Sequence, residues 1–157
     1  MSFRMGERAS VGKLVFNVTD TEWKATVGES AKARIPEHRF LIVKLSVTNS
    51  GSQQAGVSLL NVYNAEGKAF RESDNGDGIN NWMGLLRLVK PAETLQGDIL
   101  FDVPLASYKL QITDGGEPDN EIIAYVDLPL NLETDPILAE PPAIPSLTQP
   151  SVEPPKK

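Results

Sequence analysis

The sequence of 157 residues contains no cysteine and only one histidine, His38. The absence of cysteine excludes disulfides, thiolate metal ligands and cysteine nucleophiles. A serine–histidine–aspartate mechanism or a histidine-rich metal site would depend on His38 alone, and no serine, lysine or carboxylate is arranged with it in the sequence. The composition therefore predicts a protein that is not an enzyme and that needs no cofactor.

The sequence also lacks an excess of positive charge and a long apolar run. Its 15 Lys and Arg residues stand against 21 Asp and Glu residues, for a net charge of −6. This balance argues against binding to nucleic acid or to anionic lipid, since both require clustered positive charge. No apolar run approaches the roughly 20 residues that span a bilayer, and the N-terminal residues show no signal peptide. We therefore expect a protein partner, no nucleic acid and no membrane insertion by this chain.

The clearest pattern present is an alternation of apolar residues within 38–51. Leu41, Val43, Leu45 and Val47 occupy every second position. Because successive side chains of a strand point to opposite faces, this predicts a strand with one apolar face. The turn residues at 49–51 end it.

Further segments have strand-like patterns and are separated by Gly, Asn, Asp and Pro turns. They are 11–19, 57–63, 69–72, 94–103, 108–113 and 121–130, and the apolar run 82–89 is compatible with either a strand or a helical turn. Short strands at such spacing predict an all-β fold. We expect an immunoglobulin-like antiparallel β-sandwich of seven to eight strands over residues 11–132, preceded by a flexible N-terminal segment, 1–10.

The composition changes in residues 133–157, which hold seven of the twelve prolines. Such a segment buries too little apolar surface to offset the entropy lost on ordering it. We expect a disordered, partly polyproline-II tail. Pro142 and Pro145 match the minimal spacing of a polyproline ligand but lack a flanking arginine, so a spacer is the favoured interpretation.

Four segments taken together resemble a known family. They read VGKLVFNVTDTEW, FLIVKLSVTNSG, VKPAETLQGDILFDVP and YKLQITD. The most specific part is a turn at Pro91 followed by a strand with this pattern: Gly97, Phe101, Val103 and Pro104. Over residues 5–132 the chain resembles the bacterial immunoglobulin-like family known as domain of unknown function 4352.

The resemblance implies a β-sandwich that lies outside the cytoplasm, in the periplasm or at the cell surface. Members of the family usually follow a signal peptide, a lipoprotein signal or a membrane anchor, whereas no such leader is visible in this chain. The family carries no established catalytic residues, so the resemblance assigns no site.

An acidic loop, residues 72–81, contains Glu72, Asp74 and Asp77. Calcium takes six to eight oxygen ligands, and this loop offers several. Its spacing does not fit an EF-hand, so solvated turn residues are the favoured interpretation of these weak metal candidates. A calcium- or ligand-responsive β-sandwich is the alternative to the function predicted next.

Trp82 follows the acidic loop, and the residues before it are Asn80 and Asn81. An exposed Trp would be a binding anchor, although the apolar residues that follow favour burial. The sequence predicts a non-enzymatic binding or accessory module at the bacterial cell envelope. It would bind another protein through its end loops or an exposed strand edge, with Trp82, Asn80 and Asn81 as candidate interaction residues.

Overall fold

The computed structural model describes residues 1–29, 32–117 and 119–130, which form a β-sandwich. The described residues contain eleven strands: β1 Ser2–Arg4, β2 Arg8–Val11, β3 Leu14–Lys24, β4 Arg39–Asn49, β5 Ala55–Gly56, β6 Asn61–Tyr63, β7 Ala69–Arg71, β8 Leu88–Val89, β9 Thr94–Val103, β10 Tyr108–Thr113 and β11 Ile123–Leu128. The predicted all-β sandwich is confirmed. The strand number exceeds seven to eight because several strands are too short for an alternation to show.

Two sheets form the sandwich. One has five strands in the order β1-β11-β10-β6-β7, and the other has four in the order β2-β3-β4-β9. A separate two-stranded ribbon joins β5 and β8. The pairings are antiparallel apart from the parallel pair of β1 and β11. The strand β4 is central to its sheet because it pairs along its length with both β3 and β9.

The core lies between the inner faces of the two sheets, where the alternating apolar residues meet. Its fully buried side chains include Phe16, Val43, Val47, Ile99, Phe101, Leu110 and Ile112. At its edge, the Tyr108 hydroxyl donates a hydrogen bond to the Pro104 carbonyl oxygen at 2.6 Å. This contact resembles the tyrosine corner of immunoglobulin-like sandwiches. Burial raises the pKa of Tyr108 to about 12.

Residues 1–10, expected to be flexible, instead contain two paired strands. Strand β1 lies beside β11, β2 pairs with β3, and Ala9 is fully buried. That expectation was wrong because strands of three and four residues are too short to give a recognisable period. In the run 82–89, only β8 is a strand. The predicted tail, 133–157, lies outside the described residues.

Two loops cover part of the outer face of the four-stranded sheet. A small apolar cluster of Val27, Phe40, Ile42 and Leu100 lies there, with Ile79 packed against it. It joins the connection after β3 to the acidic loop, and this contact holds the loop against the sheet.

Arg34 fixes the same loop from the other side. Its Nη1 donates to the carbonyl oxygens of Asn75 and Asp77 at 2.9 and 2.7 Å, and its guanidinium lies 5.5 Å from the centre of the Phe40 ring. Gly78, with φ of +91°, comes so close to Gly28 that an added Cβ would lie 2.7 Å from the Gly28 nitrogen. The acidic loop is therefore a supported structure.

Candidate interaction site

The segment 72–89 is anchored by a buried ion pair between Glu72 and Arg87. Both side chains have no solvent exposure. Arg87 Nη1 donates to Glu72 Oε1 at 3.0 Å, and Arg87 Nη2 donates to Glu72 Oε2, so the contact has two points. Two-point pairing of a guanidinium with a carboxylate fixes geometry as well as charge.

Backbone groups complete this ion pair. The Leu60 N–H donates to Glu72 Oε1 at 3.0 Å, and Arg87 Nε donates to the Gly84 carbonyl oxygen at 2.6 Å. These bonds offset the cost of removing both charges from water. The pair therefore attaches both ends of the segment 72–89 to the body of the sandwich.

Three leucines beside Arg87 face outward. Leu85, Leu86 and Leu88 are 54%, 89% and 59% exposed. We call these three side chains the leucine patch. Clustered exposed apolar side chains on a soluble protein are a frequent mark of an interaction site.

The structure does not bring the three predicted metal ligands together. The Glu72 carboxylate is bonded to Arg87, while Asp74 and Asp77 are exposed on the loop. Within residues 1–29, 32–117 and 119–130, no group of three or more His, Cys, Asp and Glu side chains is placed to hold a metal ion. In the described geometry the loop lacks the convergent carboxylates that a calcium site requires.

Trp82 is half-buried and supports the acidic loop. Its ring lies on Gly76, where an added Cβ would be 1.9 Å from Trp82 Cδ2, so the contact requires glycine. The adjacent backbone joins strand β9, since Asp98 N–H donates to the Asn81 carbonyl oxygen at 2.8 Å and Met83 N–H donates to the Asp98 carbonyl oxygen at 2.9 Å. Of the three predicted interaction residues, Asn80 and Asn81 are exposed.

A polar groove of about 1010 Å³ lies between the acidic loop and the outer face of β3, β4 and β9. Lys44 stands in register with Asp98 of β9 and Asp20 of β3. Partial burial raises the pKa of Asp98, Lys44 opposes the rise, and the Glu22 carboxylate adds to it. The groove offers charges of both signs, and neither histidine nor cysteine is among the described residues that line it.

Among the described residues, no helix has the length and apolar character needed to cross a bilayer. His38, the single histidine, is exposed, and its backbone N–H donates to Asp102 Oδ1 at 2.8 Å. The Glu37 N–H donates to Asp102 Oδ2 at 2.7 Å. Asp102 therefore holds the approach to β4.

The fold is shared with several solved structures. The YjhA protein from Bacillus subtilis is 14% identical, with a TM-score of 0.63 and coverage of 80% of this chain and 98% of that chain. A functionally unknown protein from Listeria monocytogenes is 9% identical, with a TM-score of 0.57 and coverage of 80% and 82%. The secreted protein MPT63 from Mycobacterium tuberculosis is 15% identical, with a TM-score of 0.53 and coverage of 81% and 96%.

At these identities the likeness concerns the fold. Among curated proteins, none matches the sequence. The sequence profile of the family described as "Domain of unknown function (DUF4352)" matches residues 3–119, which is most of the sandwich. The chain belongs to this family, as its central strands and the turn before β9 had indicated.

Proposed function

We propose that the domain is a non-enzymatic binding module that holds a partner protein against the leucine patch. The observation that carries the proposal is the outward orientation of Leu85, Leu86 and Leu88 on a segment whose ends are fixed by the Glu72–Arg87 pair. A fixed apolar surface loses little conformational entropy on binding, which favours affinity. The exposed amides of Asn80 and Asn81 lie on the same segment and supply hydrogen bonds around the apolar contact.

The cell envelope is the proposed location. The family resemblance implies domains that work outside the cytoplasm, and MPT63, which shares the fold, is described as a secreted protein. The partner in this proposal is another envelope protein with an apolar surface.

Site-specific photo-crosslinking in the native host tests this function. A photoreactive residue replaces Leu86, and a matched control replaces Ile35, which is 83% exposed and lies in a different loop. We expect one discrete adduct from position 86, absent from position 35, and lost when Leu85→Ser and Leu88→Ser are added. The same adducts at both positions, or an adduct at 86 that survives the serine substitutions, would contradict the proposal.

A further inference from the structure

A second groove lies at the end of the five-stranded sheet, far in sequence from the leucine patch. It is found where β1, β6 and β11 end and β10 begins, and it has a volume of about 620 Å³. Its lining includes the apolar side chains of Met5, Tyr63, Tyr108, Leu128 and Pro129. We call it the tyrosine groove. Its occupant is a question independent of the proposed function.

We propose that the tyrosine groove binds this chain's own proline-rich segment, residues 136–145. The first argument is chemical. Proline-rich segments dock into grooves lined by aromatic side chains because their backbone is already restricted and little entropy is lost. Residues 136–145 contain four prolines and include the Pro142–Pro145 spacing of a polyproline ligand. The groove offers two tyrosines with apolar neighbours.

The second argument is position. Pro129 lines the groove, and the next residue, Leu130, is the last one described. The Leu130 N–H donates to Ser107 Oγ at 2.9 Å, and Ser107 is itself a lining residue, so the chain is held at the groove where the description stops. The five residues 131–135 then span at most about 17 Å, which is long enough for the chain to turn back over the groove.

The third argument is charge. Arg4 lines the groove and has no ion pair within the described residues, whereas the neighbouring Lys109 is paired with Asp127 at 2.6 Å. The segment that follows Leu130 has acidic residues near the proline run: Glu133, Asp135 and Glu140. The unpaired guanidinium beside the apolar lining therefore complements this acidic, proline-rich sequence.

Tethering makes even a weak contact effective. A short flexible connection gives an effective concentration in the millimolar range, so a segment with a free Kd of about 1 mM would occupy the groove roughly half of the time. The groove therefore needs only modest affinity for residues 136–145.

Paramagnetic relaxation in the full chain tests the proposal. Because the chain has no cysteine, Ala143→Cys provides a unique position for a nitroxide label. We expect selective broadening of the backbone amide signals of Tyr63, Ala65, Ser107 and Lys109. A label at Ser151→Cys is the matched control and should broaden these signals much less. Equal broadening from both labels, or broadening spread evenly over the surface, would overturn the proposal.

Proline substitutions outside the sandwich sharpen this test. In the chain labelled at position 143, Pro141→Ala, Pro142→Ala and Pro145→Ala together should remove most of the selective broadening. The matched triple substitution Pro150→Ala, Pro154→Ala and Pro155→Ala should leave it unchanged. An equal effect of the two triple variants would contradict recognition of residues 136–145.

A mixed sample separates binding within one chain from binding between copies. It combines a ¹⁵N-labelled chain that carries no nitroxide with an unlabelled chain that carries one at position 143. No broadening is expected in the mixture at the concentration used above. Selective broadening of the groove signals there would show that the segment docks on a second copy, and the proposal of binding within the chain would be overturned.

Discussion

Strand β9 and the segment 72–89 lie side by side and distribute their apolar residues in opposite ways. In β9, Ile99 and Phe101 face inward and are fully buried. In the segment 72–89, Arg87 faces inward while its leucine neighbours face outward. An apolar run therefore does not by itself show which side chains reach the core, because that depends on the partners that the rest of the fold supplies.

For the segment 72–89 the deciding partner is Glu72. A lone buried guanidinium would cost several kcal/mol, whereas a fully hydrogen-bonded pair is tolerated. Once Arg87 occupies the interior, its immediate neighbours in the chain are turned to solvent. In β9, no charge competes for the inward positions, so the ordinary alternation of a half-buried strand results.

Breaking the ion pair should have the largest effect on the comparison. Arg87→Met leaves the Glu72 carboxylate buried and unpaired, and we expect the free energy of unfolding to fall by about 3–5 kcal/mol. Urea denaturation measures it. The double variant Glu72→Leu and Arg87→Met is the control, and it should recover most of the loss. A single variant as stable as the double one would show that the pair does not anchor the segment.

Matched truncations compare the two regions directly. Ile99→Ala removes buried side-chain atoms from β9 and should lower the free energy of unfolding by about 2–5 kcal/mol. Leu86→Ala removes exposed atoms and should change it by no more than about 0.5 kcal/mol. Both values come from the same denaturation experiment. A cost at Leu86 comparable to that at Ile99 would mean that the leucine patch is covered in the isolated protein.

The support of the acidic loop can be tested at Gly78. Gly78→Ala combines a positive φ with a close approach to the Gly28 backbone, and we expect a loss of about 1–3 kcal/mol. Gly67→Ala is the control, because Gly67 has φ of +84° but no atom within 4 Å of an added Cβ. The difference between the two measured losses reports the contact between the loops. Equal losses would rule out a contribution from that contact.

A smaller effect is expected at Asp98, beside the point where the two regions join. Its pKa is raised in the folded protein, so its contribution to stability is fully present below its ordinary pKa and is lost as the pH rises through the raised value. Asp98→Asn should flatten this part of the pH profile, measured by denaturation between about pH 3 and pH 7. Asp74→Asn, at an exposed position, is the control. An unchanged slope in the Asp98 variant would contradict the assigned burial.

The smallest effect is expected from calcium. Because Glu72 is bonded to Arg87, millimolar calcium should leave the melting temperature of the full chain unchanged, as measured by thermal denaturation. Magnesium at the same concentration controls for ionic strength. A stabilisation specific to calcium would require Glu72 to leave Arg87, or another set of ligands to form.

The sequence by itself determined the long strands and several turns. The alternation in β4, β9 and β10 is a local property of an extended chain with one buried face, so their extents could be predicted closely. The hairpin between β6 and β7 follows in the same way, since Gly67 adopts a φ of +84° in the turn. The family could also be identified from these segments, because their turns and apolar positions lie close together in the chain.

Only the tertiary structure decided the edges of the sheets and the candidate site. Strand β1 pairs with β11, more than 100 residues away, and its three residues carry no period of their own. Glu72 and Arg87 meet across 15 positions, so sequence inspection assigned the first to a metal-binding loop and left the second within an apolar run. The direction in which Leu85, Leu86 and Leu88 face follows from that meeting, because a charge leaves water only where the folded chain provides its counter-charge.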